Sequence, residues 1–178
     1  GVSRGALSPE SVVTQNRDQR RPVACMTEPI SVPTGQSEED LAKAVIDRMV
    51  QADSFSRWLG VETVDVAPGR SVIRMRVRSD MLNGLGGVHG GVVYSLADSA
   101  FSYATNNTGV ISVAIDCTVN YPAAVRVGDV LTATAVVESS GNRLAFCSVT
   151  VRNQENAIVG HFRGTVYRTL KPHFPPSV

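Results

Sequence analysis

Long apolar runs are missing from this 178-residue chain. None approaches the ~18 residues that a bilayer-crossing helix needs, which excludes a helical membrane span. A strong charge of either sign is missing too. Seventeen Lys and Arg against sixteen Asp and Glu give a formal net charge of +1, so the basic surface of a nucleic-acid binder is not there. Cysteine is scarce and odd in number (Cys25, Cys117 and Cys147), with no C-x-x-C. That argues against a secreted disulfide scaffold and for a reducing, cytoplasmic setting. Aromatics are missing from the whole first quarter, since no Phe, Tyr or Trp precedes Phe55. Residues 1–37 instead carry Pro9, Pro22, Pro29 and Pro33, with Arg17, Asp18, Arg20 and Arg21. Such a stretch has little to bury and is expected to be an extended arm. It has no apolar core for a secretory signal, and Glu10, Asp18 and Glu28 speak against a transit peptide. Gly1 in place of Met leaves the arm as a tag or upstream residues, with Met26 an alternative start.

What remains is a chain that is 43% hydrophobic, enough for one domain with a sizeable core. Ser37 is a good N-cap, followed by Glu38, Glu39 and Asp40 where acids suit the helix dipole. Leu41, Val45, Met49 and Ala52 recur at helical spacing, and Gly60 is expected to end the helical region. Val61 to Val66 reads as a strand and Pro68-Gly69 as a turn. Ile73, Met75 and Val77 then alternate with Arg74, Arg76 and Arg78, the period-2 signature of a strand with one buried and one basic face.

Residues 89–105 differ in kind. Val93, Leu96, Ala97, Ala100, Phe101 and Ala104 form a wide apolar face, so the spacing predicts a nearly engulfed helix. Ser95, Asp98 and Ser102 share one narrow stripe on it. Strands follow at about 110–121, 129–139, 144–152 and 157–168, with hairpin turns at Ser140-Gly141-Asn142 and Asn153 to Asn156. The pattern predicts an α+β fold, a long antiparallel sheet wrapped around one central helix with an N-terminal helical region.

Two features around that helix carry chemistry. The stretch from Asn83 to Gly91, NGLGGVHGG, is either a freely bending loop or a set of backbone N–H donors at a helix start that binds an anion or oxyanion. Asp98 is the only charged residue between Asp80 and Asp116. In mid-helix it cannot cap, and an unpaired buried carboxylate is costly, which makes it either a hydrogen-bonded core residue or a functional group. Gly90 and Asp98 are eight residues apart, about 12 Å along a helix. One carbonyl carbon cannot meet both on the same helix. If both act on one substrate, a two-fold partner supplies one of them.

Met81-Leu82-Asn83-Gly84, His89-Gly90-Gly91 and Leu96-Ala97-Asp98-Ser99-Ala100-Phe101 resemble the hotdog-fold thioesterases of the phenylacetic-acid-degradation, or PaaI-like, type. Cys117-Thr118, the run from Gly128 to Ala133 and Phe162-Arg163-Gly164-Thr165 add to the likeness, which spans about 55–169. Together with the composition and the Ser37 cap, the resemblance leads to the expectation of an arm over 1–37, a hotdog domain over 38–169 and a tail over 170–178. It further implies an acyl-CoA thioesterase, working on phenylacetyl- or hydroxyphenylacetyl-CoA and assembled as a homodimer or a homotetramer of two dimers. Asp98 would be nucleophile or general base, Gly90 would offer its N–H to the thioester oxygen, and Asn83 would position thioester or water. His89 would hold the loop, with substrate contact second. In related enzymes a Ser or Thr on the next strand orients water. Here Ser112 to Thr118 leaves that assignment open, with Asp116 as a further neighbour of the site. CoA is part of the substrate, so no cofactor is implied.

Other candidates fare worse. His89, His161 and His173 form no metal-ligand cluster at usable spacing, and Ser95 lacks a nucleophile elbow. Tyr94 and Phe101 read as core or acyl-pocket walls. Arg143, Arg163 and Arg168 suit phosphate by paired donors but equally suit a solvated strand face. Two rival functions remain: a hydratase or dehydratase pairing His89 with Asp98, whose nine-residue spacing fits that chemistry poorly, and a non-catalytic acyl-CoA-binding module.

Overall fold

The structure is a computed structural model that describes residues 37–174. The expected arm, apart from Ser37, and the last four residues of the expected tail lie outside the described residues. Helix α1 (Glu38–Ala52) begins at a reciprocal cap: Ser37 Oγ accepts from the Asp40 N–H, and the Asp40 carboxylate accepts from the Ser37 N–H. This closes two of the N–H groups a helix start leaves open. The helical region expected up to Gly60 is two helices rather than one. Asp53 leaves helical geometry and caps α2 (Ser54–Leu59) by accepting from the Ser56 N–H at 2.9 Å. Gly60, at φ 81°, ends α2 in the left-handed region, which glycine enters without steric cost.

Six strands follow: β1 (Glu62–Ala67), β2 (Arg70–Arg76), β3 (Val110–Asn120), β4 (Val130–Ser140), β5 (Leu144–Arg152) and β6 (Ile158–Pro172). They form one antiparallel sheet in the order β1-β2-β4-β5-β6-β3. Helix α3 (Gly90–Asn106) carries the chain from β2 across the sheet to β3 on the far edge. The expected sheet around one central helix is therefore the fold. β6 continues through Pro172, three residues into the expected tail, because Val110 at the start of β3 pairs with Pro172.

The sheet buries what alternation predicts. Ile73, Met75 and Val77 face the core, while Arg74 and Arg76 are exposed, and Arg74 pairs with Glu62 at 2.8 Å. α3 buries Leu96, Ala97, Ala100, Phe101, Tyr103 and Ala104 almost completely. Each large apolar side chain so buried stabilises by roughly 1.5–3 kcal/mol. Two glycines on β6 make room for it. A Cβ on Gly160 would stand 2.7 Å from Val93 Cγ1, and one on Gly164 would stand 2.7 Å from Phe101 Cζ.

Polar latches fix the two ends of α3. At its C-terminus Asn107 donates to the carbonyls of Ala67 and Arg70 and accepts from the Gly69 N–H, which pins the β1–β2 turn. Asn106 accepts from the Ser112 N–H and meets His173 Nε2 at 2.8 Å. In its second half the Ser99 and Ser56 hydroxyls are 2.9 Å apart and buried, and Tyr103 reaches Asp53. α2 is thus anchored to α3.

Candidate active site

The N-terminus of α3 is built by Asn83 and His89. Asn83 Oδ1 accepts from the N–H groups of Leu85 and Gly87, and its own N–H donates to the Gly87 carbonyl. These bonds fold the glycine run into a tight loop, and Gly86 takes the left-handed turn at φ 80°. The side-chain amide nitrogen of Asn83 makes no hydrogen bond among the described residues. His89 is the N-cap of α3: its Nδ1 accepts from the Gly91 N–H at 2.8 Å, and its carbonyl accepts from the Val92 N–H. An accepting Nδ1 leaves the proton of the neutral ring on Nε2. The Gly90 N–H in this first turn finds no partner among the described residues. A free N–H at the positive end of a 17-residue helix is a donor for a developing oxyanion.

Asp98 lies two turns further on and is half-buried. Burial pushes its carboxyl above the ordinary carboxylate value, since the charged form loses hydration. Tyr94, one turn before it, is pushed up to about 12 by burial, by the Cys117 thiol and by the nearby Asp98 charge. Burial also raises the Cys117 thiol, which Tyr94 partly offsets and Asp98 and Asp116 reinforce. Asp98, Tyr94 and Cys117 therefore face one another between α3 and β3. At the far end of β3 the Tyr121 ring covers Gly90, with Cζ 3.4 Å from where a Cβ would stand.

The structure brings Asn83, His89 and Gly90 together and leaves Asp98 about 12 Å along the same helix. Of the strand residues left open, Ser112 is buried at the opposite end, donating to the Val110 carbonyl. Asp116 and Thr118 are exposed, and Cys117 is half-buried and close enough to Asp98 for the carboxylate's charge to raise its thiol. Tyr94 is half-buried with its ring edge-on to Phe162, while Phe101 is core. Arg143 donates to the Tyr167 hydroxyl and Arg168 to Ser140 Oγ, and Arg163 is exposed. Among the described residues no three His, Cys, Asp or Glu gather as metal ligands.

Sequence reasoning passed over Tyr121, an aromatic next to a proline just past a strand, and over the aromatics of α2. Phe55 and Trp58 are 52% and 59% exposed, with ring centroids 5.9 Å apart. They border a cleft of about 280 Å³ whose other walls include Met81, Leu82, Val92 and Ser95. His89 and Gly91 also line it, so it opens beside Gly90.

A single helix wrapped by an antiparallel sheet, with a free N–H at its start and a half-buried carboxylate on its side, is a hotdog fold. The thioesterase superfamily profile matches residues 85–159, and the chain belongs to that superfamily as a PaaI-like thioester hydrolase. It is 38% identical over 120 residues to acyl-coenzyme A thioesterase PaaI of Escherichia coli strain K12, covering 67% of this chain and 86% of that one. The structure of E. coli PaaI, from the phenylacetic acid degradation operon, matches with a TM-score of 0.74 at 34% identity. The match covers 76% of this chain and all but one hundredth of that protein, 99%. A thioesterase protein of Streptococcus pneumoniae TIGR4 with coenzyme A matches at 25% identity and a TM-score of 0.66, over 70% of this chain and 98% of that one.

Proposed function

We propose that the chain hydrolyses an aryl-acyl-CoA thioester, of the phenylacetyl- or hydroxyphenylacetyl-CoA kind, to the free acid and CoA at sites shared between two copies. The observation that carries this reading is the pairing of an unsatisfied Gly90 N–H with a half-buried Asp98 on one helix, too far apart to serve one carbonyl. β3 supports the way two copies would join them. It is an edge strand of eleven residues, and such an edge is a template for pairing with another chain. Cys117 of β3 lies beside Asp98 and Tyr121 covers Gly90. An antiparallel pairing of two β3 strands about Val119 sets one copy's Tyr121 end opposite the other's Cys117. Gly90 of one copy then approaches Asp98 of its partner.

In the proposed reaction Asp98 takes a proton from water and the hydroxide adds to the thioester carbon. Gly90 N–H and the α3 dipole hold the resulting oxyanion. Collapse breaks the C–S bond, and the CoA sulfur leaves with the proton Asp98 had taken. Asn83, with its amide nitrogen free, orients the water or thioester, and His89 keeps the loop in shape. The relatives named for acyl-coenzyme A and the neighbour with coenzyme A support CoA as the thiol half. Exposed Val136, Leu144, Phe146 and Tyr167 on the outer sheet face support back-to-back pairing of dimers into a homotetramer. Cys117 and Cys147, which form no disulfide among the described residues, support a reducing compartment such as the cytoplasm.

Mixing two inactive variants tests the shared site. Gly90→Pro removes the donor and, like Gly90→Ala, adds a Cβ beside Tyr121; proline suits the first helical position, and His89 already has the extended backbone at φ −64°, ψ 130° that proline demands of its predecessor. Asp98→Asn removes the base. Each alone should release little CoA from phenylacetyl-CoA. Unfolded together and refolded, they should regain roughly a quarter of wild-type activity, from one intact site in each mixed dimer under random pairing. Two inactive variants that stay inactive when mixed, while exchanging subunits, would overturn the shared site.

A further inference from the structure

The cleft between α2 and the first turns of α3 has no part in the chemistry described above, yet it adjoins it. We propose that it receives the acyl group and that Trp58 is the residue that selects ring-bearing acyl groups; this rests on the thioesterase reading. Four features of the cleft lead there. It is continuous with the reacting end, since His89 and Gly91, the neighbours of Gly90, line its wall. An acyl group whose carbonyl oxygen sits on the Gly90 N–H can extend along Gly91, Val92 and Ser95, one and a half turns of α3, or about 7 Å. Its volume, about 280 Å³, lies at the lower edge of the ~300–1,000 Å³ of pockets for drug-sized ligands. That suits a compact group with one ring.

Apart from Asp80, whose carboxylate pairs with Arg78, the cleft's remaining walls are apolar, and two of them are aromatic. Phe55 and Trp58 are tilted 31° to one another, so a ring entering between α2 and α3 meets a ring face or edge, the contact aromatic pairs favour. Phe55 and Trp58 stand side by side as one exposed apolar patch, the kind of feature that marks ligand-binding grooves. Trp58 is also held still. The Arg78 guanidinium covers the ring at 5.5 Å from its centroid and donates to the Leu59 carbonyl, and α2 is tied to α3 through Ser56 and Ser99. A rigid wall discriminates between acyl shapes, where a mobile one would adapt to each.

Trp58 is the chain's one tryptophan, so its fluorescence reads occupancy of the cleft directly. The probes are the non-hydrolysable S-phenacyl thioether of CoA and CoA alone. The thioether should change Trp58 emission saturably, and CoA alone should not. In turnover, Trp58→Ala should lower the kcat/KM ratio of phenylacetyl-CoA over acetyl-CoA by roughly tenfold or more. Trp58→Phe, which keeps a ring, should hold the ratio close to wild type. A thioether that binds without altering Trp58 emission overturns the assignment, as does a ratio unmoved in Trp58→Ala. Emission that responds in a protein releasing no CoA from either ester would sink the thioesterase reading and leave the cleft as a binding site. Turnover without a response would do the reverse.

Discussion

The ring of Tyr121 lies so close to Gly90 that a Cβ on the glycine would stand 3.4 Å from its Cζ and 3.5 Å from its hydroxyl oxygen. That contact is tight but yields, since Tyr121 is about half exposed. Gly90→Ala should therefore fold and melt close to wild type. The methyl group displaces Tyr121 and anything seated beneath it, and a shift of that order costs activity. kcat/KM should fall by about ten- to a hundredfold, against about 10²–10³ in kcat for Gly90→Pro, which loses the donor itself. Steady-state kinetics beside thermal melts check both. An Ala variant as impaired as the Pro variant would mean that the donor is not the issue.

Asp98→Asn should lower kcat by about 10²–10⁴. Activity needs the ionised form, and burial holds that carboxyl above its ordinary value. The acid limb of the kcat/KM profile should therefore lie above the usual carboxylate range. The same shift has a signature in stability. A raised folded value lends stability that is complete below the unfolded value and is lost as pH rises through the folded one. Asp98→Asn should thus raise Tm over wild type at about pH 7, with the gain fading toward about pH 4. A Tm difference that is flat with pH would contradict a desolvated carboxylate.

Single turnover in ¹⁸O-water separates two roles for Asp98. As base, it leaves the label in the released acid and none in the protein. As nucleophile, it acquires label itself when water opens the acyl–enzyme anhydride at the Asp98 carbonyl. Mass spectrometry of the peptide containing Asp98 reads the difference.

Gly164→Ala tests the core. The added Cβ would stand 2.7–3.0 Å from three atoms of the Phe101 ring, both residues being buried. Overpacking of this kind costs about 1–3 kcal/mol, which urea unfolding should show as a lower midpoint with an unchanged slope. Phe101→Leu in the same chain should recover part of it.

Thr118→Lys combined with Asn120→Lys should break the proposed pairing of β3 edges about Val119, since it sets like charges directly opposite one another across the pair. Light scattering should report a smaller species with unchanged far-UV circular dichroism and no turnover. A fully active monomer would refute sites shared across this edge.

Much of the architecture was legible because it rests on short-range rules. The alternation of Ile73, Met75 and Val77 with Arg74 and Arg76 set the buried face of β2. The Ser37 cap and its acids set the start of α1. The break at Asp53 was not legible, because Leu41 to Ala52 and Ser54 to Leu59 share one helical pattern. Only the reach of Asp53 to Ser56 and Tyr103 decides that the chain bends there.

The candidate site divides in the same way. The sequence by itself determined which groups could do chemistry: a glycine loop at a helix start, a lone acid within an apolar helix, and a spacing between them too long for one carbonyl. Those are properties of residue type and helical rise, and they need no fold. Only the tertiary structure decided that Asp98's charge reaches Cys117 while Ser112 is buried against Val110, that Tyr121 covers Gly90, and that Trp58 borders a cleft beside the reacting end. Apart from the Ser112 bond, each of those contacts joins elements far apart in the chain. They depend on strand order and register, with β3 carried by α3 to the far edge of the sheet, and no local pattern encodes which strands become neighbours.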